Sequence, residues 1–260
     1  MTNSTIKLSR QGPTIVVELN RPEKRNAITF QMMDEIEGVL GDANKDRDIR
    51  SIVFTGGDSF FSSGMDLNAM KDIGSPGAFT DYMDHWRQLN RAMEECSKVT
   101  IASIEGYCLT GGLEFALACD MRVAGEGASF AITSSKIGTV PGAGGSQRLP
   151  RLIGVSNALE LLLTSEMFDT DWAYRTGLIN RKVEKGKAME ATMNLAEILA
   201  SKAPLSIRFM KRAVYGGMQM PLDEACEYEG FIVNTIYNSS DKLEGISAFL
   251  EKRPAKFTGE

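Results

Sequence analysis

The chain has 260 residues, 43% of them hydrophobic and 24% charged, with a formal net charge of −5. That is an ordinary globular composition, long enough for one large domain or a domain with an appendage. It excludes a nucleic-acid binder that works through a basic surface excess, and no apolar run approaches the ~20 residues of a membrane span. The opening stretch MTNSTIKLSRQGPT lacks the apolar core of a signal peptide, so a cytoplasmic location is expected. The four cysteines, Cys96, Cys108, Cys119 and Cys226, form no C-x-x-C pair, and His85 is the single histidine. A Cys/His metal site and a disulfide framework are therefore excluded, and each thiol is expected to be a small buried apolar group.

In chain order, TIKLS and TIVVELN flank the turn RQGP and predict a β-hairpin over residues 5–20. ITFQMMDEIEGVLGDANKD has apolar residues at helical spacing, with Thr29 placed as its N-cap. SIVFTG reads as a short buried strand, FTDYMDHWRQLNRAMEECSK as a second amphipathic helix and TIASIEG as another strand. GGLEFALACD is an apolar helix opening on glycines, and MRVAG and ASFAI are strands. This alternation is an α/β pattern, in which a strand–glycine turn–helix unit recurs roughly every 45–50 residues. Beyond about residue 155 the strand signals fade and six helical stretches follow, two of them started by Pro204 and Pro221. The last helices are apolar for terminal segments, which predicts packing on a partner subunit.

Two glycine turns carry the first chemical signal. FFSSGMDL follows one strand and EGYCLTGGLEFALACD follows another. Free N–H groups at such turns, with a helix N-terminus behind them, can converge on one oxygen as an oxyanion hole; alternatively both are only tight turns. Glu114 lies one helical turn past Gly111 among Leu113, Phe115, Ala116, Leu117 and Ala118. Burial there would push its pKa towards neutrality and suit it to general acid/base work, whereas on a solvent-facing helix it would have no such role. PGAGGSQR has neither the full G-x-G-x-x-G nor a Walker Gly-Lys-Ser/Thr, and there is no G-x-S-x-G elbow, so nucleotide-loop and serine-hydrolase chemistry fit poorly.

LNRPEKRNAITFQMMDEI, FSSGMDL, IASIEGYCLTGGLEFALACDMRVAGEGASF, IGTVPGAGGSQRLPRLIG, AYRTGLINRKV, APLSIRFMKRAV and EGISAFLEKRPAKF occur in sequence along the chain. With them the chain resembles the crotonase superfamily, the enoyl-CoA hydratase/isomerase family, over essentially its whole length. The resemblance implies a spiral of ββα units over residues 1–200 and a C-terminal helical region over 201–260 that builds a homotrimer or a dimer of trimers. It implies an acyl-CoA thioester as substrate, coenzyme A being part of that substrate and no other cofactor being needed. The thioester carbonyl would sit between the backbone N–H groups of Met65 and Gly111, with Glu114 beside it. Arg25, Ala27, Ser63, Asp66 and Leu67 would lie along the CoA moiety, and Lys252 would reach the CoA of a neighbouring subunit.

Hydratases of the family use two glutamates. One corresponds to Glu114; the other, four residues before Gly138, is Ser134 here, within AITSSKIG. A serine is not an equivalent acid but can hold a water or a hydroxyl, and loss of one general acid/base typically lowers a rate by ~10²–10⁴. The expectation is therefore a hydratase-like enzyme working with one carboxylate. The alternatives are an enoyl-CoA isomerase, a C–C lyase or decarboxylase, an acyl-CoA hydrolase, or a non-catalytic acyl-CoA-binding protein. Tyr82, His85 and Trp86, on a helix that often lines the acyl pocket in the family, are candidates for an extra group, His85 as the single histidine.

Overall fold

The structure, a computed structural model, describes residues 4–71 and 73–260. The hairpin forms over the predicted stretch: β1 (Ile6–Gln11) and β2 (Thr14–Leu19) pair antiparallel, with Gln11 opposite Thr14. Helix α1 (Phe30–Lys45) starts at Thr29, whose hydroxyl accepts the Met32 N–H, and it buries Met32, Met33, Ile36, Val39, Leu40 and Ala43 along one stripe. Both features follow from the residue types: a β-region threonine caps the first turn, and apolar residues three and four apart share a face.

The chain then climbs in a spiral. β3 (Ser51–Thr55) and β4 (Phe60–Ser62) make one step, followed by α2 (Leu67–Lys71) and α3 (Pro76–Glu95). β5 (Val99–Ile104) and β6 (Tyr107–Leu109) make the next, followed by α4 (Gly111–Ala118), and β7 (Met121–Gly125) and β8 (Ser129–Ala131) the third. β2, β3, β5 and β7 are parallel neighbours in one sheet, and β4, β6 and β8 are parallel neighbours in a second. The expected spacing of the units holds from Ser51 to Val99 but not beyond, because the intervening helix α4 is only 8 residues long.

The remaining elements are α5 (Gly145–Ile153), α6 (Val155–Thr164), β9 (Phe168–Asp169), α7 (Thr170–Thr176), β10 (Arg181–Val183), α8 (Ala188–Ala200), α9 (Pro204–Gly217), α10 (Leu222–Ile236) and α11 (Ser240–Leu250). β9 and β10 correct the expectation of helices alone after residue 155. β10 pairs with β7 and closes the larger sheet among the described residues, and β9 pairs antiparallel with β8. Strands of two or three residues are too short to show an alternating pattern.

One core packs α1, α3 and α4 against the inner face of the larger sheet, and α8 covers the opposite face through Leu195 and Ala196. α9 is tied down by Lys211, 2.7 Å from Asp120 Oδ2, and by Tyr215, whose hydroxyl donates to Asp120 Oδ1 at 2.9 Å. Beyond it apolar side chains face outward: Leu222 is 78% exposed and Phe249 83%. Cys96, Cys108 and Cys119 are buried as expected, but Cys226, on α10, is exposed.

Candidate active site

Two turns meet where β4 and β6 end. Gly64 O accepts the Ile28 N–H at 2.8 Å, and the Asp66 N–H donates to Ile28 O at 3.3 Å. In this short parallel bridge the residue between them, Met65, turns its own N–H to the other side. Gly111 is the first residue of α4, so its N–H has no acceptor within the helix. A Cβ built on Gly111 would lie 3.1 Å from Met65 N, so the two amides are side by side. Glycine at position 64 permits this approach: its φ is +103°, and an added Cβ would sit 2.9 Å from Gly111 N. Two N–H groups at a helix N-terminus, unused by strand or helix, suit a developing oxyanion.

The residue between strand and helix is strained. Thr110 has φ 47° and ψ −119°, a region costly for a β-branched residue. It is held there by its N–H to Ala131 O at 2.7 Å and by a 2.9 Å hydroxyl–hydroxyl bond with Thr133.

Glu114 is 0% exposed, and every residue of α4 is buried. Its Oε1 accepts the N–H groups of Ala143 (2.9 Å) and Gly145 (2.8 Å). Its Oε2 is buried and has no hydrogen-bond partner. Burial pushes the carboxyl up to about 7, against the opposing pull of the Gly145 and Ala143 N–H groups and of the Arg148 charge. The loop that holds Oε1 is itself pinned: Asn90 Nδ2 donates to Ala143 O at 2.7 Å, and Arg148 is fixed to Glu94 at 2.6 Å. Glu114 is thus immobilised through one oxygen and available through the other, with protonated and ionised forms close in energy at neutral pH.

Ser134 opens a 3₁₀ turn, Ser134–Ile137, and is 3% exposed. Its neighbours are committed elsewhere: Thr133 bonds Thr110, and Ser135 Oγ lies 2.6 Å from Ser165 Oγ. Among the described residues Ser134 Oγ has no hydrogen-bond partner, so of the three consecutive hydroxyls it alone is uncommitted.

The CoA candidates lie along the preceding loop. Arg25 has φ 52° and stacks its guanidinium over Phe60 at 5.6 Å, Ala27 is buried, and the Ser63 N–H donates to Arg25 O at 2.9 Å. Asp66 pairs with Arg21 at 3.1 Å, and Leu67 is exposed. Lys252 follows α11 in a left-handed conformation and is exposed. His85, a partly exposed residue of α3, meets α1, where its Nε2 lies 2.7 Å from Asp34 Oδ1. A cavity of 1080 Å³ opens behind the Ala143–Gly144 loop, between α3, α5 and α9; Met65, Gly111, Glu114 and Ser134 are not among its lining residues.

Residue-by-residue inspection of the sequence did not single out Asn26, Asn90 or Thr110. Asn26, φ 53°, donates to Gly56 O (2.8 Å) and Phe60 O (3.0 Å) and so joins the EKRNAI loop to the β3–β4 connection and the start of β4. Only a fold that brings those carbonyls together reveals its role.

A family model described as enoyl-CoA hydratase/isomerase matches residues 9–260. The chain is 34% identical to a probable enoyl-CoA hydratase of Mycobacterium tuberculosis over 99% of both chains, and 33% identical to a crotonyl-CoA hydratase of Syntrophomonas wolfei over 99% of both. Its fold is similar to the crystal structure of an enoyl-CoA hydratase from Bacillus anthracis, with a TM-score of 0.94, 32% identity and coverage of 98% and 100% of the two chains. The spiral with its paired amides and buried glutamate therefore belongs to a member of the enoyl-CoA hydratase/isomerase family, the crotonase superfamily.

Proposed function

We propose that the protein adds water reversibly to a short 2-enoyl-CoA, using one carboxylate where its relatives use two. The observation that carries this is Glu114: buried, fixed through Oε1, unpartnered at Oε2, and on the helix whose first N–H, with that of Met65, forms the paired donors. The thioester carbonyl accepts from Met65 and Gly111. Water oxygen bonds to C3 while one of its protons passes to Glu114 Oε2, and the C2–C3 π electrons move into the thioester as an enolate held by the two N–H groups. The same proton then returns from Glu114 to C2. A group that titrates near neutrality serves both halves of this cycle. Ser134 contributes a hydroxyl to the pocket and no proton transfer.

The names of the relatives support the substrate class: short-chain-enoyl-CoA hydratase in Clostridium acetobutylicum and crotonyl-CoA hydratase in Syntrophomonas wolfei. Arg25, Ala27, Ser63, Asp66 and Leu67 are the proposed contacts of the CoA moiety, and Lys252 of a neighbouring subunit's. Residues 201–260 are the proposed oligomerisation region of a trimer or a dimer of trimers, supported by the outward apolar faces of α10 and α11. The test is loss of the conjugated enoyl absorbance of crotonyl-CoA. Brisk hydration that Glu114→Gln abolishes is expected; a Glu114→Gln protein as fast as the wild type would overturn the proposal.

A further inference from the structure

Six buried side-chain polar atoms lack a hydrogen-bond partner among the described residues, and four of them lie on the packed helix pair α3 and α4. Glu114 Oε2 is one. The other three, Tyr82 Oη, Trp86 Nε1 and Asn90 Oδ1, recur every four residues along α3, which packs on α4. Residues four apart share one helix face. Asn90 already serves the site through Ala143. Tyr82 is 1% exposed and Trp86 0%, and both rings are fixed, Tyr82 by an edge contact of 5.0 Å with Phe30 and a second contact with Phe79. The Trp86 indole lies close enough to act on the Tyr82 hydroxyl, but the two do not meet in good hydrogen-bond geometry, and a phenol and an indole N–H buried so poorly satisfied cost stability and call for an explanation.

We propose that Tyr82 and Trp86 hold the oxygen on which Glu114 acts: the water that attacks C3 and, after addition, the C3 hydroxyl of the product. This inference rests on the hydration chemistry proposed above. A water needs two to four polar partners, and Tyr82 Oη (donor or acceptor), Trp86 Nε1 (donor) and Glu114 Oε2 (acceptor) form a set of matching polarity. The Tyr82 hydroxyl lies within the fields of both Glu114 and Asp66. Burial, reinforced by those two charges and opposed by the neighbouring indole, pushes it up to about 12, so it stays a neutral hydrogen-bonding group. The site thus positions its nucleophile from α3 where the second glutamate of the family would do so from the position of Ser134. Tyr82 and Trp86 are assigned no proton transfer in the reaction; the proton moves between water, Glu114 and C2.

Binding and turnover together test this. Acetoacetyl-CoA carries an oxygen on C3 and butyryl-CoA does not. Tyr82→Phe keeps the ring and its contacts, and should weaken acetoacetyl-CoA about tenfold, the worth of one hydrogen bond, while butyryl-CoA affinity is unchanged. It should also lower kcat for crotonyl-CoA more than it changes KM, and adding Ser134→Glu to Tyr82→Phe should restore much of the lost rate. Equal affinity of both proteins for acetoacetyl-CoA, or an equal loss for both ligands, would overturn the assignment. The binding comparison needs no turnover, so it is read separately from the Glu114→Gln test of the hydratase proposal.

Discussion

The two sides of the site are built differently. On one side Glu114 sits in a helix with no exposed residue, gripped through Oε1 by a loop that Asn90 anchors in turn. On the other Ser134 begins a turn whose following residues, 135–140, are all exposed, and its hydroxyl has no hydrogen-bond partner among the described residues. A rigid buried carboxyl contrasts with a hydroxyl that no side chain holds. On the proposed mechanism catalytic demand falls on the side where geometry is over-determined, because proton transfer tolerates little displacement, while the other side supplies shape.

The sharpest break of this comparison is Glu114→Gln, which keeps the two N–H contacts but cannot take a proton. We expect a loss of about 10²–10⁴ in kcat for crotonyl-CoA hydration, with little change in affinity for butyryl-CoA. Next is Gly64→Ala, whose Cβ would meet Gly111 N at 2.9 Å and spread the paired amides. Loss of one oxyanion donor lowers kcat by about 10²–10³, and circular dichroism will show the fold retained. The titration of Glu114 gives the third expectation. Hydration should rise with pH to a plateau beyond about 7, as the carboxyl becomes the base. In kcat/KM this limb should vanish with Glu114→Gln.

Stability should run the opposite way. The folded-state value, about 7, is above the ordinary 4.5, so the folded protein binds the extra proton between those limits. Glu114 then exerts no penalty below pH 4.5, and its cost grows as pH rises to about 7 and stays constant above it. At pH 8 denaturant unfolding should find Glu114→Gln the more stable protein by up to ~3 kcal/mol, with the gap gone near pH 4. The smallest effect belongs to Ser134→Ala. It removes an unpartnered hydroxyl and should alter hydration by less than about threefold, below the worth of one neutral hydrogen bond. A large loss there would erase the asymmetry between the two sides.

The amphipathic helices, the hairpin and the buried strands of the spiral were legible because each carries a periodicity or a turn signal of its own. β4, β6, β9 and β10 were not, since two or three residues take their conformation from the neighbouring strand rather than from their own pattern. Within the site, Gly111 and Glu114 could be read from an acid in an apolar helix behind glycines. The position of Ser134 was visible in the spacing, but the engagement of its neighbours Thr133 and Ser135 was not, because their partners Thr110 and Ser165 are distant in sequence. Tyr82, His85 and Trp86 could be read as candidates for an extra group, but which of them was not legible: only the poorly satisfied buried polar atoms of Tyr82 and Trp86 set those two apart.

The Thr110–Thr133 bond joins the turn that opens α4 to the residue immediately before Ser134. With Thr110 N–H also fixed to Ala131 O, the amide proposed to receive the oxyanion and the loop that carries Ser134 form one mechanical body. A displacement of either is transmitted to the other, so the two ends of the reacting bond cannot drift independently. Substitutions at positions 110 and 133 should therefore be epistatic: harmful singly, and coupled when combined, since a single linkage is lost in either case.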